Sequence, residues 1–208
     1  MNLRKKIVIV DYGVGNTYSV FNAIKRLGYS NIIISSESDL ITNADFLILP
    51  GVGAFEACIE NLYHFDLVDS LNYAVLKKKI PILGICVGMQ LLADYSLENG
   101  SHQGLGWIPG CVLKMDLGEN FTVPHVGWND ISFDTSDLMF RNLAVNPHFY
   151  FDHSYHFNCE NKYISSFIQY NKKIIASVRR DNIFGVQFHP EKSHFNGLKL
   201  FRAFLEQS

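Results

Sequence analysis

Cys86 lies in the segment GICVGMQ, two positions from a glycine on either side. Glycine, any residue, nucleophile, any residue, glycine is the spacing of an elbow where a strand turns abruptly into a helix. Such a turn forces the central residue into a strained backbone conformation and holds its side chain out at the sheet edge. Cβ atoms two positions either side would collide, so glycine suits both places. A helix beginning just after the thiol favours negative charge there, and the thiolate is the nucleophilic form. Alone, the pattern fits a buried structural cysteine between chance glycines equally well. Cys58, Cys111 and Cys159 lack such surroundings and read as core or partly exposed thiols.

A thiol nucleophile needs a base, and the base needs a group that orients it. VQFHPEKS supplies His189 and, two residues on, Glu191, just after the last strand-like run. Pro190 fixes the backbone between them, so imidazole and carboxylate can lie on one side; a plain surface turn would give the same residues. His64, His102, His148 and His156 have no carboxylate at a comparable position and read as surface or packing residues. Acyl chemistry also needs backbone donors for an oxyanion. The amide of Val87 at the elbow is one, and LPGVGAF offers a second in the Gly51-Val52-Gly53 loop, whose glycines also let a peptide flip.

These residues need a sheet that brings separate loops to one edge. KKIVIV, NIIIS, FLIL and IPILGI read as strands, the first continuous in apolar residues and so buried on both faces. Between them come a helix capped by Asn16 and ended at Gly28, and a helical stretch from about residue 54 to 76. The alternation predicts an α/β fold with a mostly parallel sheet flanked by helices. The elbow helix is expected to run through Met89, Leu91 and Leu92. After the loop GLGWIPG, the runs CVLKM, FYFDHSYHF, KYISSFIQY, KIIASV and NIFGVQF predict added antiparallel strands in the second half, closed by a helix near Gly197 to Glu206.

The chain has 208 residues, 48% of them hydrophobic, enough for a substantial core, and no repeat or linker divides it. One domain over residues 1–208 is expected. A net charge of −2 gives no reason to expect nucleic acid or an acidic membrane as partner. The apolar run after the basic N-terminus is only Ile7 to Val10, and no stretch approaches the roughly 18 apolar residues of a membrane span. Without a C-x-x-C pair, neither a zinc site nor a disulfide framework is implied, and a reduced, cytoplasmic setting is the simplest reading.

DYGVGN, LPGVGAF, GICVGMQLL, GLGWIPG, PHVGWN, FYFDHSY and QFHPEKS, in that order, make the whole chain resemble the class I, triad-type glutamine amidotransferases. The resemblance is nearest to glutaminase subunits of imidazole glycerol phosphate synthase. It implies a flavodoxin-like domain with Cys86, His189 and Glu191 as the triad, and hydrolysis of L-glutamine to glutamate and ammonia. Val52 and Val87 amides would form the oxyanion hole. Gly51, Gly53, Gln90, Glu98, Ser154 and Tyr155 would hold glutamine, with Glu98 in the segment hardest to align. It further implies a (β/α)8-barrel synthase (cyclase) subunit as heterodimer partner, docked on Val14, Gly15, Asn16 and Lys192, receiving ammonia for imidazole glycerol phosphate and AICAR formation in histidine biosynthesis. No metal or organic cofactor is implied, and the Val52 amide is expected to face away from the oxyanion until the partner docks.

Three details depart from the histidine-pathway pattern: Val87 for a leucine, PHVGWN for a methionine form, and Asp152 where an apolar residue is expected. GICVGMQ and the C-terminal run are similar to paralogues that supply ammonia to a sugar amidotransferase in surface-polysaccharide synthesis. A non-catalytic relative would be expected to lose part of the triad, and a cysteine peptidase of the same fold would lack PHVGWN and HSY.

Overall fold

The computed structural model describes residues 3–118 and 121–207. In the first half, strands and helices alternate: β1 (Ile7–Val10), α1 (Thr17–Lys25), β2 (Ile32–Ser35), α2 (Ser38–Thr42), β3 (Phe46–Gly51), α3 (Phe55–His64), α4 (Leu67–Asn72), β4 (Ile82–Cys86) and the single turn α5 (Val87–Gln90). The second half adds β5 (Tyr95–Ser96), β6 (His102–Gln103), β7 (Gly110–Lys114), β8 (His125–Asp130), β9 (Ser132–Phe133), β10 (His148–His153) and β11 (Tyr155–Cys159). β12 (Ile164–Tyr170), β13 (Lys172–Arg180), β14 (Ile183–Val186) and α6 (His194–Leu205) complete it.

The main sheet runs β2-β1-β3-β4-β14-β13-β12-β9. It is parallel from β2 to β14 and antiparallel beyond. Every residue of β1, β3, β4 and β14 is buried, as continuous apolar runs between two helical layers require. The second half also forms two smaller sheets, β10-β8 and β11-β7-β5-β6, antiparallel except where β5 runs parallel to β7. Asn16 caps α1 as its side chain accepts from the Ser19 amide, and Val20, Ala23 and Ile24 face inward. One cluster of buried apolar side chains extends from Ile7 on β1 to Leu205 on α6.

Several expectations need correction. The stretch from 54 to 76 is two helices and a π-helical turn, Tyr73–Lys77, because Asp66 enters the left-handed region at φ 54° and ends the first helix. FYFDHSYHF is two strands in different sheets: β10 pairs with β8 and β11 with β7. NIFGVQF is not an antiparallel addition, since β14 lies parallel beside β4. The elbow helix stops at Gln90, because the carbonyls of Leu91 and Leu92 are taken by the amides of Leu105, Trp107 and Ile108 in the GLGWIPG loop. The last helix starts at His194, earlier than Gly197.

Candidate active site

Three adjacent parallel strands, β3, β4 and β14, set the site, because their C-terminal ends come together. β3 pairs with β4 so that Gly51 lies opposite Cys86, and β14 pairs Val186 with Ile85 on the other side. Cys86 takes φ 56° and ψ −112°, the strained conformation of the elbow. Both flanking glycines are explained by close approach. A Cβ on Gly84 would lie 2.5 Å from the Gly88 carbonyl oxygen, and one on Gly88 would overlap the Leu49 carbonyl of β3.

The segment after β14 carries the base. The Gln187 amide donates to the Ala176 carbonyl and the His189 amide to the Tyr150 carbonyl, which fixes the extended stretch over the elbow. A turn then brings Glu191 back, so that its Oε1 lies 2.7 Å from His189 Nδ1 with both side chains buried. Cys86 borders the same cavity and acts on the same ring. Burial pulls the His189 pKa down, but Cys86 and Glu191 outweigh it and push the imidazole up to about 10. Ser193 Oγ donates to the His189 carbonyl and accepts from the Tyr150 amide, locking the turn.

A cavity of about 410 Å³ opens over the sulfur. It brings together Val52, Gly53, Val87, Gln90, Glu98, Ser154, Tyr155 and Lys192 with Cys86 and His189. Gly51 does not line it but packs beneath, where a Cβ would meet the Gly88 amide nitrogen at 2.6 Å. Glu98 reaches the cavity because Oε2 accepts from the Phe55 amide at 2.8 Å, which pins its loop to the start of α3. The PGVG loop is held from behind: Tyr12 donates to the Pro50 carbonyl at 2.5 Å and Cys58 to the Val52 carbonyl at 3.4 Å. Val14, Gly15 and Asn16 stand outside the cavity, where a Cβ on Gly15 would lie 3.2 Å from the Pro50 ring.

Asp152, singled out in the sequence as a departure from the pattern, also lines the cavity; sequence reasoning missed Pro124 and His153 beside it, and Gln187, whose Nε2 lies 3.7 Å from Cys86 Sγ. The signal for Gln187 was its distance of two from His189, since residues two apart in extended chain share a face. The Asp152 side chain is exposed, alternating with buried Phe151 and His153 on β10. Two histidines read as lacking a carboxylate do have one, supplied across space: Asp130 for His148, its cross-strand neighbour, and Glu56 for His102 at 3.8 Å. Among the described residues no group of three or more His, Cys, Asp and Glu side chains gathers to hold a metal ion.

A family model for glutamine amidotransferase class-I matches residues 8–207. The chain belongs to the class-I glutamine amidotransferase family. It is 47% identical over 201 residues to imidazole glycerol phosphate synthase subunit HisH 2 of Vibrio vulnificus, covering 97% of this chain and 94% of that protein. It is 44% identical to the subunit of the same name from Methanococcus maripaludis, covering 97% of this chain and all of that one (100%). Among solved structures, a glutamine amidotransferase superposes with a TM-score of 0.75 at 20% identity, covering 96% of this chain and 97% of that one. At that identity the superposition speaks for the fold alone.

Proposed function

We propose that this chain hydrolyses L-glutamine to glutamate and ammonia as the glutaminase subunit of imidazole glycerol phosphate synthase. The observation that carries the reading is the line Glu191–His189–Cys86 at the floor of a cavity that Glu98 and Lys192 border with opposite charges. The Cys86 thiolate attacks the side-chain carbonyl carbon of glutamine, and the oxyanion is met by the Val87 amide and by the Val52 amide once its loop turns. His189 gives its proton to the departing nitrogen, ammonia leaves, and a thioester remains. Water, deprotonated by His189, attacks the thioester, and expulsion of the thiolate regenerates the site. Glu191 orients the ring throughout. Gln90, Ser154 and Tyr155 border the glutamine backbone, with Gly51 and Gly53 shaping the loop opposite.

Ammonia released into water is protonated and lost, so a (β/α)8-barrel cyclase subunit sits over the cavity mouth and takes it on to imidazole glycerol phosphate and AICAR. The docking face is the Val14-Gly15-Asn16 loop with Lys192. Aromatic side chains continue it: Lys192 Nζ lies 5.4 Å from the ring centroid of partly buried Tyr150, Tyr150 meets Trp128 edge-on, and half-exposed Trp128 stacks on His194. The relatives that carry the synthase name match over nearly their full length, which supports the histidine-pathway acceptor over a sugar amidotransferase.

The test is ammonia release from glutamine by the purified chain, with and without the cyclase subunit and its ribonucleotide substrate. Strong stimulation by the partner, abolished by Cys86→Ala, is expected. Full turnover without a partner would refute the switched loop. Unstimulated turnover with Cys86 still trapped by a glutamine-analogue inhibitor would move the acceptor to another pathway.

A further inference from the structure

We propose that Gln187 acts on the nucleophile directly, as an amide donor to the Cys86 sulfur, and that Gln90, anchored on the Tyr155 carbonyl, fixes its direction. The inference deepens the glutaminase reading and rests on Cys86 being its nucleophile.

The chain can be followed donor by donor. The Tyr155 carbonyl receives His153 Nδ1 at 2.8 Å and Gln90 Nε2 at 3.2 Å. A carbonyl only accepts, so His153 carries its proton on Nδ1 and Gln90 turns its NH2 toward Tyr155. His153 Nε2 is therefore an acceptor, and His125 Nδ1 donates to it at 3.2 Å. The second N–H of Gln90 goes to Gln187 Oε1 at 3.1 Å. Gln187 is left to present its NH2 to Cys86 Sγ, with N···S 3.7 Å. Reversing the Gln187 amide would set two NH2 groups against each other and aim a carbonyl oxygen at the sulfur. Only one arrangement satisfies every member.

The chain lies in the interior, with His125, His153, Gln90 and Gln187 each no more than 6% exposed. Burying four polar side chains is costly unless each is bonded, and once bonded they specify a single geometry. His125 is itself clamped by the Tyr170 ring, with centroids 4.1 Å apart. The chemistry has a use for the donor twice. The sulfur bears negative charge before it attacks and again when it leaves the second tetrahedral intermediate, and an N–H aimed at it favours both states.

Other titratable groups surround the sulfur and remain in place when Gln187 is changed. His189, His153, Asp152, Glu98 and Lys192 border the cavity, and Tyr12 and Cys58 lie behind the elbow.

The experiment is the pH dependence of Cys86 alkylation by iodoacetamide in the full chain, read at Cys86 by mass spectrometry. Gln187→Met keeps the length and deletes the donor; Gln187→Glu keeps the shape and replaces the donor by a carboxylate. Losing one net hydrogen bond predicts alkylation near neutral pH roughly three- to tenfold slower in the Met variant, and slower still in the Glu variant. The midpoint should move to higher pH with an unchanged limiting rate. Glutaminase kcat should fall while KM for glutamine stays. Gln90→Met, which unanchors Gln187 without removing it, should give an intermediate shift in alkylation. A Q187M profile superimposed on that of the unaltered chain overturns the proposal; should that variant not fold, superposition of the Q187E and Q90M profiles overturns it equally. Unaltered chain that neither hydrolyses glutamine nor alkylates at Cys86 would instead refute the nucleophile itself.

Discussion

Glu191 has one carboxylate oxygen on His189 and the other buried without a hydrogen-bond partner among the described residues. A cavity of about 260 Å³ borders it, with Ser19, Asn22 and Arg26 of the α1 region on the far wall. There is room for a water that satisfies the second oxygen. What Glu191 gives His189 is therefore charge as well as direction. Glu191→Gln keeps an acceptor for Nδ1 but removes the charge, so the imidazolium loses part of what holds its pKa near 10. The expected result is glutaminase kcat lower by about tenfold or more. The alkaline limb of the pH profile should also move to lower pH, because His189 sheds its proton earlier on the way up. A profile unchanged in height and position would take Glu191 out of the reaction.

At the scale of elements, the elbow works because β3, β4, β14 and α5 approach more closely than side chains allow. A Cβ on Gly88 would overlap the Leu49 carbonyl, whereas one on Gly53, at φ +87°, meets nothing within 4 Å. Gly88→Ala should therefore destabilise the fold by about 1–3 kcal/mol, lowering Tm by roughly 2–4 °C for each kcal/mol, and should disable the nucleophile as well. Gly53→Ala should cost only backbone strain, roughly 1–2 kcal/mol, and act mainly on the loop. Thermal melts and ammonia release on both variants separate the two mechanisms; equal losses of stability and activity in both would refute the close-packing account. The elbow was legible because its requirement is local: an apolar run, two glycines and a thiol at fixed spacing. The same holds for the His-Pro-Glu turn and the Asn16 cap. What stayed hidden depends on long-range pairing. Nothing local says that Ser154 breaks FYFDHSYHF between two sheets, that β14 pairs parallel with β4, or that Asp130 stands across the ladder from His148.

At the scale of the whole molecule, the cavity exists because the antiparallel additions return to the edge of the parallel sheet, and they bring buried histidines with them. His153 is pushed down to about 3, by burial before anything else, and burial also lowers His125 and His156. The linkage has a definite sign. Between the ordinary histidine value of 6.5 and about 3, the unfolded chain takes up a proton at His153 that the folded chain refuses. Stability therefore falls as pH falls through that window, with a slope of at most about 1.4 kcal/mol per pH unit for each such histidine. His189 works in the opposite sense: its raised pKa stabilises the fold below its ordinary value of 6.5, and that contribution is lost as pH rises through about 10. Together they place the stability maximum near neutrality. His153→Asn keeps a donor for the Tyr155 carbonyl and removes the titration. Its Tm should be lower at neutral pH, because packing and the bond from His125 are lost, but its decline on acidification should be shallower than that of the unaltered chain. Parallel declines in the two proteins would show that His153 does not set the acid limit. The sensitivity would then belong to His125 and His156, which share the same burial and would be replaced next in the same melt series.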